Sequence, residues 1–382
     1  MPSDHRNSQT AENNETGGGA IPRVWMLYDD RPGHRTQVTG LARRLKWPFT
    51  EIHLAFNLMN RVPNPLLGAS LISLKRPDRL KLQTPYPDLV IGMGRRIVPV
   101  ARWIRRQSGG RSRIVLLGRK AIGSANDIDL FVNCLHFRQL PHEGLFELVL
   151  PPTQVDAESL AAARLARADP IAALRKPRVV LLVGGPTAQH QFDAKQAQSM
   201  ASQIAGAASY LGGDLAIVTS RRTTVQAVAA MRAAAPGAHI HEWQAGRQDN
   251  PFLSYLANAD ILAVTGESES MIAEAAATGL PLTIVPLEMN PPGLKDRLAE
   301  AVRRTAEGQG SMARLCRNIM LAGWIAPLRD VALMHRTMQE RGLARIFDGS
   351  LNTQPPRHSD EFQRLVGRIE ALVSSRRSGV AE

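Results

Sequence analysis

Short apolar and β-branched runs alternate with longer helical periods along nearly the whole chain, and they do so in two successive sets. In the first set the strand-like runs fall at 24–28, 49–54, 88–92, 113–117, 129–133 and 146–150, with helical periods such as 39–46 and 97–107 between them. In the second set the strands fall at 178–183, 214–219, 239–243, 260–265 and 281–286, separated by helical periods at 194–211, 225–235, 250–258 and 271–278. Most of the runs are short and apolar, which predicts strands buried on both faces and therefore mostly parallel sheets covered by helices. The expected fold is α/β, with two Rossmann-like domains whose parallel sheets face across a cleft. A length of 382 residues agrees, since a single core rarely keeps growing beyond ~250–300 residues.

The expected organisation has four parts. Residues 1–20 are polar and rich in Gly, Asn and Glu, and read as a disordered tail without the apolar core of a signal peptide. Residues 21–174 form the first domain and 175–345 the second. Residues 346–382 form a loop and an amphipathic helix that packs back on the first domain. No apolar stretch approaches the ~20 residues of a membrane-spanning helix. The two cysteines, Cys134 and Cys316, are too few for a disulfide framework or a four-thiolate zinc site and fit a reducing compartment.

The net charge of +13 is unevenly placed. Residues 21–150 hold 21 Lys or Arg against 9 Asp or Glu, a net of +12, whereas 151–382 hold 25 against 22. The first domain is the basic one. Such a surface suits anionic membrane or an anionic substrate. Nucleic acid is not expected as a partner, because with 5% aromatic residues there is little for bases to stack on.

Ligands in sheets of this kind sit outside the carboxyl ends of the strands, where loops lead into helix N-termini. Five loops qualify: 29–37 (DDRPGHRTQ), with Asp30, Gly33 and His34; 93–96 (MGRR), with Gly94, Arg95 and Arg96; 184–187, with Gly184 and Gly185; 219–223 (TSRRT), with Ser220, Arg221 and Arg222; and 265–270 (TGESES), with Ser268 and Ser270. Glycine permits close backbone approach to an anion, a helix N-terminus supplies free N–H groups, and arginine offers a fork that matches phosphate oxygens. Glu274 lies four residues after Ser270, a spacing a capping box does not use. On an Ala-rich helix beside such a turn it is placed to accept hydrogen bonds from ribose hydroxyls. Asp127-Ile128-Asp129 spells a D-x-D pattern, but both acids flank a strand start, and no metal site is expected.

The stretch 268–281 resembles the nucleotide-sugar segment of GT-B glycosyltransferases. Taken with 219–223, Gly94-Arg95-Arg96 and Asp30-x-Pro32-Gly33-His34, it resembles the plant mitochondrial-fission ("elongated mitochondria") family and its bacterial relatives. The resemblance runs over about residues 24–290. It implies a GT-B-like fold and a metal-independent transferase, needing no cofactor, that moves a sugar from a nucleotide-sugar onto a cell-envelope glycolipid. The implied setting is the cytoplasm, peripheral to the inner membrane. Gly184, Gly185, Ser220, Arg221 and Arg222 would then face the donor phosphates, with Ser268, Ser270 and Glu274 completing the nucleotide side. Gly33, Gly94, Arg95 and Arg96 would meet the acceptor or its phosphate, and His34 with Asp30 would be the catalytic pair. His136 is a weaker alternative base, in a segment that departs from the family pattern, as does Leu280. A sugar-nucleotide epimerase and a non-catalytic membrane-docking scaffold are the alternatives.

Overall fold

The computed structural model describes residues 21–118, 127–166, 169–246, 251–321 and 324–375; the tail expected at 1–20 lies outside them. Among the described residues, twelve strands form two wholly parallel sheets. The first contains β1 (Val24–Tyr28), β2 (Phe49–His53), β3 (Leu89–Met93), β4 (Arg113–Leu117), β5 (Leu130–Cys134) and β6 (Leu145–Leu148), in the order β2-β1-β3-β4-β5-β6. The second contains β7 (Arg178–Val183), β8 (Asp214–Thr219), β9 (His239–His241), β10 (Ile261–Thr265), β11 (Leu282–Val285) and β12 (Arg345–Ile346), in the order β12-β11-β10-β7-β8-β9. β12 is the strand the sequence did not announce. It is two residues long and pairs with β11 at the sheet edge.

The strand interiors explain the continuous apolar runs. Along β1, Trp25 and Leu27 enter one core and Val24 and Met26 the other. Along β7, Val180 and Leu182 face one side while Val179, Leu181 and Val183 face the opposite side. Period-two alternation therefore partitions residues between two dry faces rather than between core and water.

Two packing features follow from long-range contacts. The helix Glu361–Ser374 buries Leu365, Ile369 and Val373 against Val24, Met26 and Val115 of the first sheet, and Arg113 Nε donates to the Leu372 carbonyl. The helix pair Leu294–Glu307 and Ser311–Leu321 follows β11 of the second sheet in sequence, yet Ala306, Cys316 and Met320 bury Leu140 of the first domain. Leu321 also packs against the core of the first sheet. Among the described residues no helix is long and apolar enough to cross a membrane.

Ile369 is fully buried. Ile369→Ala is expected to lower unfolding free energy by about 2–5 kcal/mol, read from the denaturant midpoint of the full chain.

Candidate functional site

In each sheet the strand order reverses at one point, between β1 and β3 in the first and between β7 and β10 in the second. Loops leaving adjacent strands in opposite directions open a crevice at such a point. Most of the predicted loops converge on these two places.

In the first domain the helix Pro32–Leu45 begins earlier than the periodicity predicts, because Pro32 at its first position is pre-set for helix; Arg31 stands at the N-cap position without a side-chain cap. His34 therefore sits in the first turn, its N–H bonded to the Arg31 carbonyl. Its Nδ1 lies 2.8 Å from Asp29 Oδ1, although the ring N–H is not aligned as an ideal hydrogen bond. Asp29 is buried, and it also accepts from Arg31 N at 3.2 Å and lies 3.6 Å from Arg96 Nη1. Burial pushes its carboxyl up, but the His34 contact and the Arg31 amide and guanidinium outweigh this and hold it below the usual range. Asp30, by contrast, is exposed and faces Arg96 at 3.4 Å. The carboxylate beside His34 is Asp29, the residue next to the one the motif singled out.

Gly94, with φ of 84°, brings the loop after β3 against the His34 ring, where a Cβ would sit 2.9 Å from Cε1. Asp29, His34, Gly94, Arg95, Arg96 and Arg329 are among the residues lining one cavity of about 550 Å³. Arg95 is partly committed, since its guanidinium donates to the carbonyls of Val62 and Asn60. Gly33 is exposed on the helix and is not among the lining residues.

In the second domain Gly184 N donates to Thr265 Oγ1 at 2.8 Å and Gly185 N to Glu267 Oε1 at 2.9 Å. Both amides are thus spent within the protein, which corrects the expectation that they face phosphate. The glycines are needed for a different reason: a Cβ on Gly184 would overlap Glu267, and one on Gly185 the backbone of Arg222. Glu267 is buried and pairs with Arg222 Nη2 at 3.1 Å, while its Oε2 has no partner. Burial raises its carboxyl against the lowering effects of Gly185 N, Thr265 and Arg222. Ser220 Oγ bonds the Gly184 carbonyl at 3.0 Å and receives Arg222 N at 3.3 Å.

Beside this knot a cavity of about 230 Å³ is lined by Ser220, Arg221, His241, Trp243, Met271 and Glu274, among others. Burial alone raises Glu274 to about 7. The helix Glu269–Ala276 begins at buried Ser268 without a side-chain cap, and Ser270 is exposed in its first turn. Its first amides therefore remain available to an anion.

The two halves are tied together. Glu269 receives Arg329 Nη1 at 2.7 Å and lies 3.3 Å from His136 Nε2. Asp330 N donates to the His136 carbonyl at 2.7 Å. Burial pushes Glu269 up, but His136 and Arg329 more than compensate and lower it. Arg329 also lines the first-domain cavity, so one guanidinium joins Glu269 of the second domain to that cavity.

The D-x-D acids are structural. Asp127 pairs with Arg102 at 2.7 Å, and Asp129 pairs with Arg105 and Arg113 at 2.9 and 2.8 Å. Among the described residues no group of three His, Cys, Asp or Glu side chains is arranged to hold a metal ion. Sequence reasoning missed Asp29, Glu267, Glu269, Arg329, His241 and Trp243. Only Asp29, Glu267 and Glu269 lay inside loops already singled out; the others are joined to the site by the fold alone.

Two Rossmann-like parallel sheets facing across a cleft, with crevices at both reversal points, define a GT-B-like protein. The chain belongs to the mitochondrial fission ELM1 family, whose profile matches residues 32–315. It is 30% identical to mitochondrial fission protein ELM1 of Arabidopsis thaliana over 133 residues, 35% of this chain and 31% of that protein, so the match spans about a third of the plant protein. Against "uncharacterized protein RP120" of Rickettsia prowazekii it is 24% identical over 300 residues, 68% of this chain and 82% of that one. Among solved structures it is similar to CalG4, the calicheamicin glycosyltransferase, at 14% identity and a TM-score of 0.44, over 95% of this chain and 100% of that one.

Glu274 generates a pH prediction. A shift from 4.5 to about 7 corresponds to roughly 3 kcal/mol against the ionised form. The folded state retains the proton that the unfolded state releases, so the associated stability is complete below pH 4.5 and is lost as pH rises through about 7. Glu274→Gln should therefore raise the melting temperature at pH 8 and change it little at pH 4, as measured by thermal denaturation across pH.

Proposed function

We propose that this protein is a metal-independent glycosyltransferase that takes a nucleotide-sugar in the second domain and a glycolipid of the cell envelope in the first. The observation that carries the reading is a His34–Asp29 pair in the first-domain cavity and the half-buried Glu274 carboxylate in the second-domain cavity, with Arg329 binding Glu269 of the second domain while lining the cavity of the first. Glu274 accepts the ribose hydroxyls, and ionises as it does so because those donors stabilise the charged form. Trp243 and His241 offer faces to the base. The diphosphate lies at the N-terminus of the helix Glu269–Ala276, near Ser268 and Ser270, with Arg221 and Arg222 as counter-charges. Gly184 and Gly185 shape this floor by allowing Glu267 to hold Arg222.

Transfer requires a base to take the acceptor proton as the bond to the nucleotide breaks. Asp29 on Nδ1 favours the tautomer that leaves His34 Nε2 as the acceptor, and it stabilises the imidazolium that forms. Arg95, Arg96 and Gly94 border the acceptor. A phosphate on that acceptor fits a cavity whose lining carries Arg31, Arg96 and Arg329 around it. The acceptor arrives from an anionic membrane surface on the basic side of the protein, in the cytoplasm.

A sugar-nucleotide epimerase is the second reading, favoured by the His136–Glu269 pair, which places acid–base groups at the donor side of the cleft. It differs in needing no acceptor. Purified protein incubated with nucleotide-sugar alone would then yield an isomerised sugar.

The test uses a panel of UDP-, GDP-, CMP- and TDP-sugars. A live site raises the melting temperature with at least one of them, because a ligand that binds only the folded state adds stability. Glu274→Ala should weaken that binding by about tenfold or more, whereas His34→Ala should preserve it and reduce transfer by about 10²–10⁴-fold. Absence of a shift with every nucleotide favours the scaffold reading. Equal loss in both assays from both variants contradicts the assignment of separate roles.

A further inference from the structure

The stretch between β2 and β3 is Pro- and Leu-rich and folds into short helical turns at Leu58–Arg61, Asn64–Leu67 and Arg76–Arg79. It is knotted on itself. Asn57 N donates to the Ser73 carbonyl, Asn57 Nδ2 to those of Ile72 and Leu74, and Ala55 N to Asp78 Oδ2. Leu54, Leu67, Leu74 and Leu82 anchor it in the first domain. The apolar side chains between these anchors face water: Leu58 is 76% exposed, Leu66 77%, Leu80 71% and Ile72 49%. Single exposed leucines are ordinary, but a cluster of this size in one short segment marks an interaction surface.

Its charge identifies the partner. Within 55–87 the sequence holds Arg61, Lys75, Arg76, Arg79 and Lys81 against one acid, Asp78, which is buried and paired with Lys81 at 2.5 Å. Arg61, Lys75 and Arg76 are exposed. Another group of exposed apolar side chains, Leu294, Leu298, Met312 and Leu315, lies on helices where Lys295, Arg297, Arg303, Arg304, Arg314 and Arg317 are interleaved with Asp296, Glu300 and Glu307, and Arg303 and Arg304 are paired with these acids, so its charge is mixed rather than one-sided.

We propose that residues 57–81 form the surface by which the protein seats on an anionic lipid bilayer, the leucines entering the headgroup boundary and the basic side chains meeting lipid phosphates. Neither signal suffices by itself; apolar insertion and electrostatic attraction together give stable reversible binding. The surface adjoins the first-domain cavity. Arg95 donates to the carbonyls of Asn60 and Val62, Asn64 Nδ2 donates to the Arg95 carbonyl, and Asn60 itself lines the cavity. A bilayer held there presents a lipid-borne substrate at the cavity mouth. That consequence rests on the glycosyltransferase reading; the docking does not.

The experiment is co-sedimentation of the full chain with phosphatidylcholine vesicles, with and without phosphatidylglycerol and in the absence of nucleotide. Binding should require the anionic lipid and weaken with added salt. Leu58→Gln/Leu66→Gln/Leu80→Gln and, separately, Lys75→Glu/Arg76→Glu should each reduce partitioning by at least about tenfold, with an unchanged melting temperature. Leu294→Gln/Leu298→Gln should bind as the parent does. Equal binding to neutral vesicles, or wild-type partitioning of both variants, overturns the proposal. So does light scattering that shows the same variants dissociating a self-associated form, which would make the surface a contact between copies. Vesicle binding without any nucleotide response would remove the transferase reading and keep this one; the reverse result would do the opposite.

Discussion

Glu269 is the residue on which the cleft depends. It opens the helix Glu269–Ala276 of the second domain, and its carboxylate is held by His136, from the loop after β5 of the first domain, and by Arg329. A carboxylate at a helix N-terminus is favoured by the helix dipole, and the two partners draw it further toward its ionised form. Removing one partner of a pair this buried would strand charge in a poorly solvated place, costing roughly 3–5 kcal/mol. The pair is a weak source of stability compared with a dry interface, but it specifies one relative position of the two sheets. Because Arg329 also lines the first-domain cavity, the same contact that joins the domains delivers a cation to that cavity.

The sheets were legible in the sequence because their central strands are dry on both faces. β1, β4, β7 and β8 coincide with apolar runs that need no context to recognise. β12 was not, because two residues carry no periodicity and its pairing with β11 is set by the helix Val331–Glu340 that precedes it. The helix pair 294–321 shows the same limit. Its amphipathic periods are evident, but which domain receives the apolar stripe depends on Leu140, more than a hundred residues away.

The site was legible as loops rather than as atoms. Asp29-Asp30 illustrates why. Adjacent residues leaving a strand point to opposite sides, so one carboxylate turns inward to His34 and its neighbour to solvent, and the sequence does not fix the residue at which the strand geometry ends. The Gly184-Gly185 turn shows a second reason. A glycine pair is compatible with anion binding and with close packing alike, and the distinction rests on Glu267, which is distant in sequence and arrives from β10. Arg329 and Trp243 belong to no local pattern. They matter only because the topology brings the segments before the helix Val331–Glu340 and after β9 to the carboxyl ends of the strands.

The placement of charge links these observations. The basic excess lies in the first domain, yet much of it is consumed: Arg102, Arg105 and Arg113 neutralise Asp127 and Asp129, and Arg44 bonds backbone carbonyls of Gly40 and Thr153. Arginine that braces a fold does not contribute a field to a partner. Exposed cations also lie elsewhere on this domain, at Arg23, Arg43, Lys46, Arg106 and Arg111, but it is in the segment between β2 and β3 that Arg61, Lys75 and Arg76 accompany exposed apolar side chains. A chain selecting only for solubility has no reason to place bare leucines among its free cations, since the leucines oppose that purpose. Coincidence of the two on one flank of the cleft is what a boundary between water and anionic lipid would require. On the proposed docking a +12 domain joined to a nearly neutral one would also follow, because only one face of the molecule would need to meet that boundary.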